Sequence, residues 1–430
     1  MVFMPGLLGL FLTMFFILAL TNTILAQTRT YGNEQISGGS QGAFSRSTAP
    51  AGVLSAGSSL VPYMTVSERY DSNVLSTRNK VADYVTNITA GARANYRGDM
   101  VDGSFTGGLT SEVYMRNQGL NYIGTNATLN AVLDKSIGKM VRGLGMSVSD
   151  TVVYTPRIQS WLTPEAPANS FISGIQPYRN NSLTNSSNVL SSYALNPSDL
   201  INASYSHELM RFFTTQTPVL GATGGLFNTD VQTLLTGFTH RINPTDSIAL
   251  SYQYQQMSFV PNTGGEAFDV GANSAMMAWT KSITRELTAL VAPGASLVSS
   301  LPGELQWTMQ ARLEWRDALT TAAVSYSRSV LPGFFLAGSA MLSDMVSALL
   351  SHQVASQWTV SAQSDYASSQ SLGSQNGAFR FTSYGERVFV NYSFYRGFIA
   401  SLGATYDHYT FSGVQMDRQT VSLSLTAEWN

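Results

Sequence analysis

The segment Leu305-Gln-Trp307-Thr-Met309-Gln-Ala311-Arg-Leu313-Glu-Trp315-Arg316 alternates apolar and polar residues without a break. In an extended chain successive side chains point to opposite faces. Trp307, Met309, Ala311, Leu313 and Trp315 therefore share one face, and Gln306, Gln310, Arg312, Glu314 and Arg316 share the other. Near the C-terminus Val421, Leu423, Leu425, Ala427 and Trp429 alternate with Ser, Thr and Glu in the same way. A single strand of this kind suits any half-buried sheet. A succession of them, with aromatics near strand ends, is the signature of an antiparallel transmembrane β-barrel, whose strands face lipid on one side and a lumen on the other.

Composition agrees. Charged residues are 12% of the 430-residue chain, about half the fraction usual in soluble domains. One long apolar run is present where a helical membrane protein would need several. The formal net charge of −2 offers no basic face to a polyanion, so nucleic acid is not expected as a partner. The absence of cysteine excludes a disulfide framework, cysteine-ligated zinc, covalent haem attachment and a lipoprotein anchor.

The apolar run is Val2–Leu20, followed by Thr21-Asn-Thr-Ile24-Leu-Ala26. Residues 1–26 read as a signal peptide ending at Ala26, although a basic leading segment is missing and the first arginine is Arg29. An uncleaved anchor helix is the alternative, since the run is long enough to span a bilayer. Either reading exports the rest. Residues 27–59, rich in Ser, Gly, Ala and Thr, read as a flexible periplasmic lead-in, and residues 60–430 as the barrel.

Eighteen strands are expected, with sixteen as the alternative. The first five are Leu60–Tyr70, Asp83–Arg97, Gly103–Met115, Asn126–Ile137 and Gly143–Tyr154. Pro156–Ser187 then reads as a long external loop that constricts or caps the lumen. Asn188–Leu195 is the weakest strand. An internal echo fixes the phase of the later strands: Asn196-Pro-Ser-Asp199 and Asn243-Pro-Thr-Asp246 sit at the same place in two matching hairpins. Asn-Pro followed by Asp is a strong turn former, so these turns join Asn188–Leu195 to Leu200–Phe213 and Asp230–Ile242 to Ser247–Phe259. Four further hairpins are Asp269–Ile283 with Glu286–Val298, Glu304–Arg316 with Ala318–Val330, Asp344–Ser356 with Trp358–Ser371, and Phe379–Tyr395 with Phe398–Phe411. Arg418–Trp429 closes the barrel. The even count leaves both termini on the periplasmic side.

Parity assigns Tyr84, Ile88, Tyr96, Leu250, Tyr252, Trp307, Trp315, Val388, Tyr392 and Leu423 to lipid. The lumen-lining candidates are Arg93, Arg97, Glu112, Gln310, Arg312, Glu314, Arg316, Arg387 and Asp407. A cation facing hydrocarbon near the midplane would cost about 2–4 kcal/mol, which placement in the lumen avoids. These charges read either as a selectivity lining or as pairs that brace the interior, Arg312, Glu314 and Arg316 above all. Neither sign predominates.

Catalytic chemistry is not expected. His207, His240, His352 and His408 lie far apart without ligand spacing, so no metal is expected, and no cofactor motif is present. Gly38-Gly-Ser40-Gln-Gly42 matches G-x-S-x-G, but a nucleophile elbow needs a strand before it and a helix after it, and this copy lies in the lead-in. Gly264-Gly265 lacks the Lys-Ser/Thr of a phosphate loop.

The opening strands carry a more particular pattern. Pro62-Tyr-Met-Thr-Val-Ser-Glu68-Arg-Tyr70-Asp71-Ser-Asn73-Val74, then Ile88-Thr-Ala-Gly91-Ala-Arg-Ala-Asn-Tyr96, resembles the start of outer-membrane barrels associated with exopolysaccharide and PEP-CTERM export systems. The resemblance implies a barrel working with polysaccharide-export components. The chain departs from the usual assembly signal in ending on Asn430 after Trp429. The expected protein is thus an outer-membrane pore or export conduit for polar solutes or polysaccharide, with a closed docking barrel as the alternative. Its expected partners are outer-membrane lipid, the barrel-assembly machinery and, as a homo-oligomer, further copies of itself.

Overall fold

The structure is a computed structural model, and it describes residues 58–75, 78–155, 181–213, 227–261, 266–299, 305–333, 339–372, 380–411 and 414–429. Eighteen strands succeed one another: β1 Ser59–Asp71, β2 Asp83–Arg97, β3 Asp102–Tyr114, β4 Tyr122–Val132, β5 Leu144–Thr155, β6 Ser182–Ala194, β7 Asp199–Phe212, β8 Phe227–Arg241 and β9 Asp246–Pro261, then β10 Phe268–Ser282, β11 Leu287–Val298, β12 Leu305–Arg316, β13 Thr320–Gly333, β14 Ser339–Ala355, β15 Trp358–Ser371, β16 Arg380–Tyr395, β17 Phe398–Phe411 and β18 Val414–Glu428. Each pairs antiparallel with its chain neighbours, and β18 pairs with β1, from Tyr63 opposite Glu428 to Asp71 opposite Thr420. The sheet is closed and leaves no free edge.

The Asn-Pro echo forms the turns expected of it. Asn196 Oδ1 accepts from the Ser198 N–H at 2.8 Å and the Asp199 N–H at 3.0 Å. Asn243 Oδ1 accepts from Thr245 and Asp246 at 2.8 and 2.9 Å. Two turns without the Asn-Pro sequence use the same device. Thr284 Oγ1 accepts from Glu286 and Leu287, and Asp317 Oδ1 from Leu319 and Thr320. In each case a short polar side chain satisfies the backbone donors that the turn leaves open. The Arg396-Gly397 turn works differently: Gly397 has φ +77°, and a Cβ there would run into the Glu428 carbonyl oxygen.

Several boundaries differ from expectation. The fourth strand is Tyr122–Val132 rather than Asn126–Ile137, and a short helix, α1 Asp134–Met140, occupies the turn after it. Seven residues are too few for a helical apolar period to show in sequence. The sixth strand begins at Ser182, so the end of the expected loop Pro156–Ser187 is strand, and residues 156–180 lie outside the described residues. The signal peptide and nearly all of the lead-in, residues 1–57, lie outside them too.

Register and burial sort the two faces. Outward parity carries exposed Ile88, Leu109, Leu129, Leu234, Leu250, Met277, Leu313, Leu350 and Leu402. Aromatic residues border this apolar band at both ends, with Tyr70, Tyr84, Tyr154, Tyr366 and Tyr384 near the loop end. Tyr96, Tyr193, Trp279, Trp315, Trp358 and Tyr392 stand near the turn end. Tyr70 tilts against Tyr84 at 5.3 Å, and Trp358 stacks on Tyr392 at 4.3 Å. Two rings of amphipathic aromatics bounding an apolar band match the two interfaces of a bilayer.

Candidate functional site

The inward face is not uniform along the barrel axis. In the loop-end half most inward side chains are buried; in the turn-end half most remain accessible to water, with Val61, Tyr63, Asn202 and Leu290 as buried exceptions. On β8, inward Thr229, Val231, Thr233 and Leu235 are buried whereas Arg241 is exposed, and on β9 Gln255, Met257 and Phe259 are buried whereas Ser251 and Gln253 are partly accessible. The barrel interior is therefore packed near its loops and open near its turns.

The packed half has two unlike walls. On β8–β11, inward Val231, Met257, Phe259, Val270, Ala272 and Val298 join one buried apolar cluster, against which Phe227 and Phe268 pack. Phe259 stacks on Phe268 at 5.2 Å. Parity gave only polar and charged lumen candidates, and these inward apolar residues add to them. Where side chains fill the interior instead of facing water, apolar residues gain from burial.

The opposite wall carries an ionic ladder with alternating sign. The Arg387 Nη1 group donates to Asp365 Oδ2 at 2.8 Å and its Nη2 lies 3.6 Å from Asp407 Oδ1. Asp407 is the register partner of Arg418. Arg418 grips Asp71 through Nε at 3.1 Å and Nη2 at 2.6 Å. Arg69 lies 3.9 Å from Asp71 and 3.6 Å from Glu112. Glu112 also accepts from the Tyr114 hydroxyl at 2.8 Å and from Asn87 at 3.2 Å. The ladder runs Asp365, Arg387, Asp407, Arg418, Asp71, Arg69, Glu112 over β15, β16, β17, β18, β1 and β3. It crosses the seam where the last strand meets the first. Four carboxylates against three guanidiniums make it acidic by one charge.

The nine lumen candidates divide between the two halves. Glu112, Arg387 and Asp407 sit in the ladder. Arg93 belongs to the open half, where it reaches Glu428 at 2.5 Å and lies 5.0 Å over the Tyr63 ring. On β12, Glu314 is shared by Arg312 at 3.0 Å and Arg316 at 2.8 Å, the bracing arrangement considered from sequence. Arg97 is exposed on the inward parity of β2, opposite Asp102. Gln310 Oε1 is buried without a hydrogen-bond partner among the described residues. Arg69, Asp71, Asp365 and Arg418 were not anticipated. Their signal was inward parity alone, and Arg418 and Asp71 stand 347 positions apart in sequence. Among the described residues no group of three or more His, Cys, Asp or Glu could hold a metal ion.

A scan of protein-family models finds no match for the chain, and no curated protein matches it. Solved structures do. The FrpB iron transporter of Neisseria meningitidis (F3-3 variant) is 10% identical with a TM-score of 0.43, matching 81% of this chain and 62% of its own. The chain thus spans less than two thirds of that transporter's length. OpdK of Pseudomonas aeruginosa, solved with vanillate, is 10% identical with a TM-score of 0.43, over 86% of this chain and 99% of its own. OccAB4 of Acinetobacter baumannii is 10% identical with a TM-score of 0.45, over 86% and 98%. These are distant likenesses to other barrels, and they carry nothing about solutes. The architecture rests on the chain's own register: a closed, antiparallel, 18-stranded β-barrel.

Proposed function

We propose that this chain is an outer-membrane pore for small polar solutes, whose conducting path narrows in the loop-end half. The observation that supports it most is the water-accessible inner face of the turn-end half, where Arg93, Arg97, Arg316 and Glu314 present both charge signs. Mixed charges on the wall of a wide vestibule draw polar solutes inward without trapping one sign. Farther along, a solute meets the acidic ladder on one side and the apolar cluster on the other. That cross-section favours compact solutes over an extended, heavily hydrated polymer. Export of polysaccharide rests on the opening-strand motif alone. The signal peptide, the lead-in and delivery by the barrel-assembly machinery complete the reading as proposals.

One observation favours a second reading. The burial of both walls near the loops would also suit a closed barrel that serves as a docking or structural element. Planar-bilayer recording separates the two. The pore reading expects discrete ohmic steps from purified, heat-modifiable protein, and a reversal potential that moves toward cation selectivity in Arg93→Glu. Folded protein that inserts and never conducts overturns the pore and leaves the closed barrel standing.

A further inference from the structure

The outward face of β5–β8 carries a cluster of acidic and hydrogen-bonding side chains well inside the aromatic ring at the loop end. Outward residues along β5 are Leu144, Met146, Val148, Asp150, Val152 and Tyr154. A rise of about 3.3 Å per residue at a tilt near 40° gives about 2.5 Å of depth per residue. By the same measure Asp150 lies about 10 Å inside the Tyr154 ring and about 15 Å from Leu144, near the middle of the band. Its register partner is the exposed Leu129. Other outward acids on strands sit beside aromatic residues nearer the strand ends: Glu68 is one alternation step from Tyr70, Glu386 accepts from the Tyr384 hydroxyl, Asp344 from the Tyr326 hydroxyl and Asp246 from the Trp279 indole.

Donors gather at the same place on the next strands. Asp150 Oδ1 accepts from Ser187 Oγ at 2.6 Å and from Asn185 Nδ2 at 3.0 Å. Ser187 is opposite His207 on β7, and His207 Nε2 lies 3.0 Å from Asp230 Oδ1 on β8. This row is not a nucleophilic triad. The Ser187 hydroxyl is given to Asp150, and the strand N–H groups that an oxyanion would need are held in the ladder.

Hydrocarbon offers these groups no hydrogen bonds. A soluble protein cannot reach Asp150, and an anionic headgroup lies too far outward and would meet two carboxylates. What fits is a second membrane-embedded wall carrying donors and acceptors together. The patch has both, Asn185, Ser187 and His207 beside Asp150 and Asp230, so a copy of the same surface can complement it. The geometry points to β5–β8 as the face through which this barrel associates with a second copy of itself. This holds whether or not the barrel conducts.

The chain has no cysteine, so one introduced thiol reports a single place. Ser187→Cys in native membranes, treated with a short bis-maleimide, is expected to give a cross-linked species of twice the chain mass. Val189→Cys, one outward step away and without a polar role, is expected to do the same, which covers failure of the first variant to fold. Ala362→Cys, outward on the far wall, is expected to stay uncross-linked. Native mass spectrometry of the full chain in nanodiscs should show an oligomer that Asp150→Arg converts to monomer. A monomeric wild type with no adduct at either Ser187→Cys or Val189→Cys overturns the assignment. An adduct with a different membrane protein overturns the second copy as occupant.

Discussion

Replacing Arg387 with Met tests whether the loop-end half of the lumen is packed. The guanidinium is 3% exposed and stands between Asp365 and Asp407, at 2.8 and 3.6 Å, with side-chain exposures of 6% and 11%. Without it, Asp365 is left with Gln363 Nε2 at 2.9 Å as its donor and no cation, while Asp407 keeps Arg418 as its register partner. Breaking a buried pair by removing one partner costs about 3–5 kcal/mol, because the remaining charge stays desolvated. Arg316→Met is the comparison. Its side chain is 70% exposed and bonds Glu314 in the open half, where ion pairs are worth about 0–1 kcal/mol. Guanidinium titration of protein folded in vesicles, followed by tryptophan emission, reads both variants on one scale. Neutralising the two acids as well, in Arg387→Met/Asp365→Asn/Asp407→Asn, is expected to recover most of the loss. If Arg387→Met costs no more than Arg316→Met, the ladder is hydrated and the packed constriction is refuted.

Gly397→Ala is expected to cost about 1–3 kcal/mol, since φ is +77° and the new Cβ would meet the Glu428 carbonyl; the same titration measures it, and an unchanged midpoint would mean that the turn relaxes freely. The N–H groups of Leu319 and Thr320, with the Trp315 indole, hold the Asp317 carboxyl below its usual range. Its folded value lies below the unfolded value of about 3.9, so its contribution is whole above that pH and is lost as pH falls through the folded value. Asp317→Ala should therefore destabilise at pH 7 and converge with wild type in strong acid, as thermal melts across that range would show. A constant difference at every pH would remove the charge from the account.

Parity was legible wherever lipid covers one face. Tyr84, Leu250, Trp307, Val388 and Leu423 stand outward as alternation requires, because a one-residue slip would turn a whole strand over. Boundaries slipped where the interior stops being wet. The expected strands Asp230–Ile242 and Asp344–Ser356 stop short of the observed starts at Phe227 and Ser339. Inward Val231, Met257 and Phe259 are as apolar as the lipid face, so the binary contrast fades toward the loop end.

The closed eighteen-stranded barrel, its phase and the sides of its strands were already written in the order of the residues, since the pleat and the Asn-Pro turns are local properties of the chain. Glu112, Arg387 and Asp407 were legible there too as inward charges. What those charges do depends on contacts between distant strands. Asp71 meets Arg418 only because closure sets β1 beside β18, and Asp150 meets Asn185 and Ser187 only through the register of β5 with β6. Parity says which face a side chain takes. Partners, depth and burial come from how far each strand has slid past its neighbour.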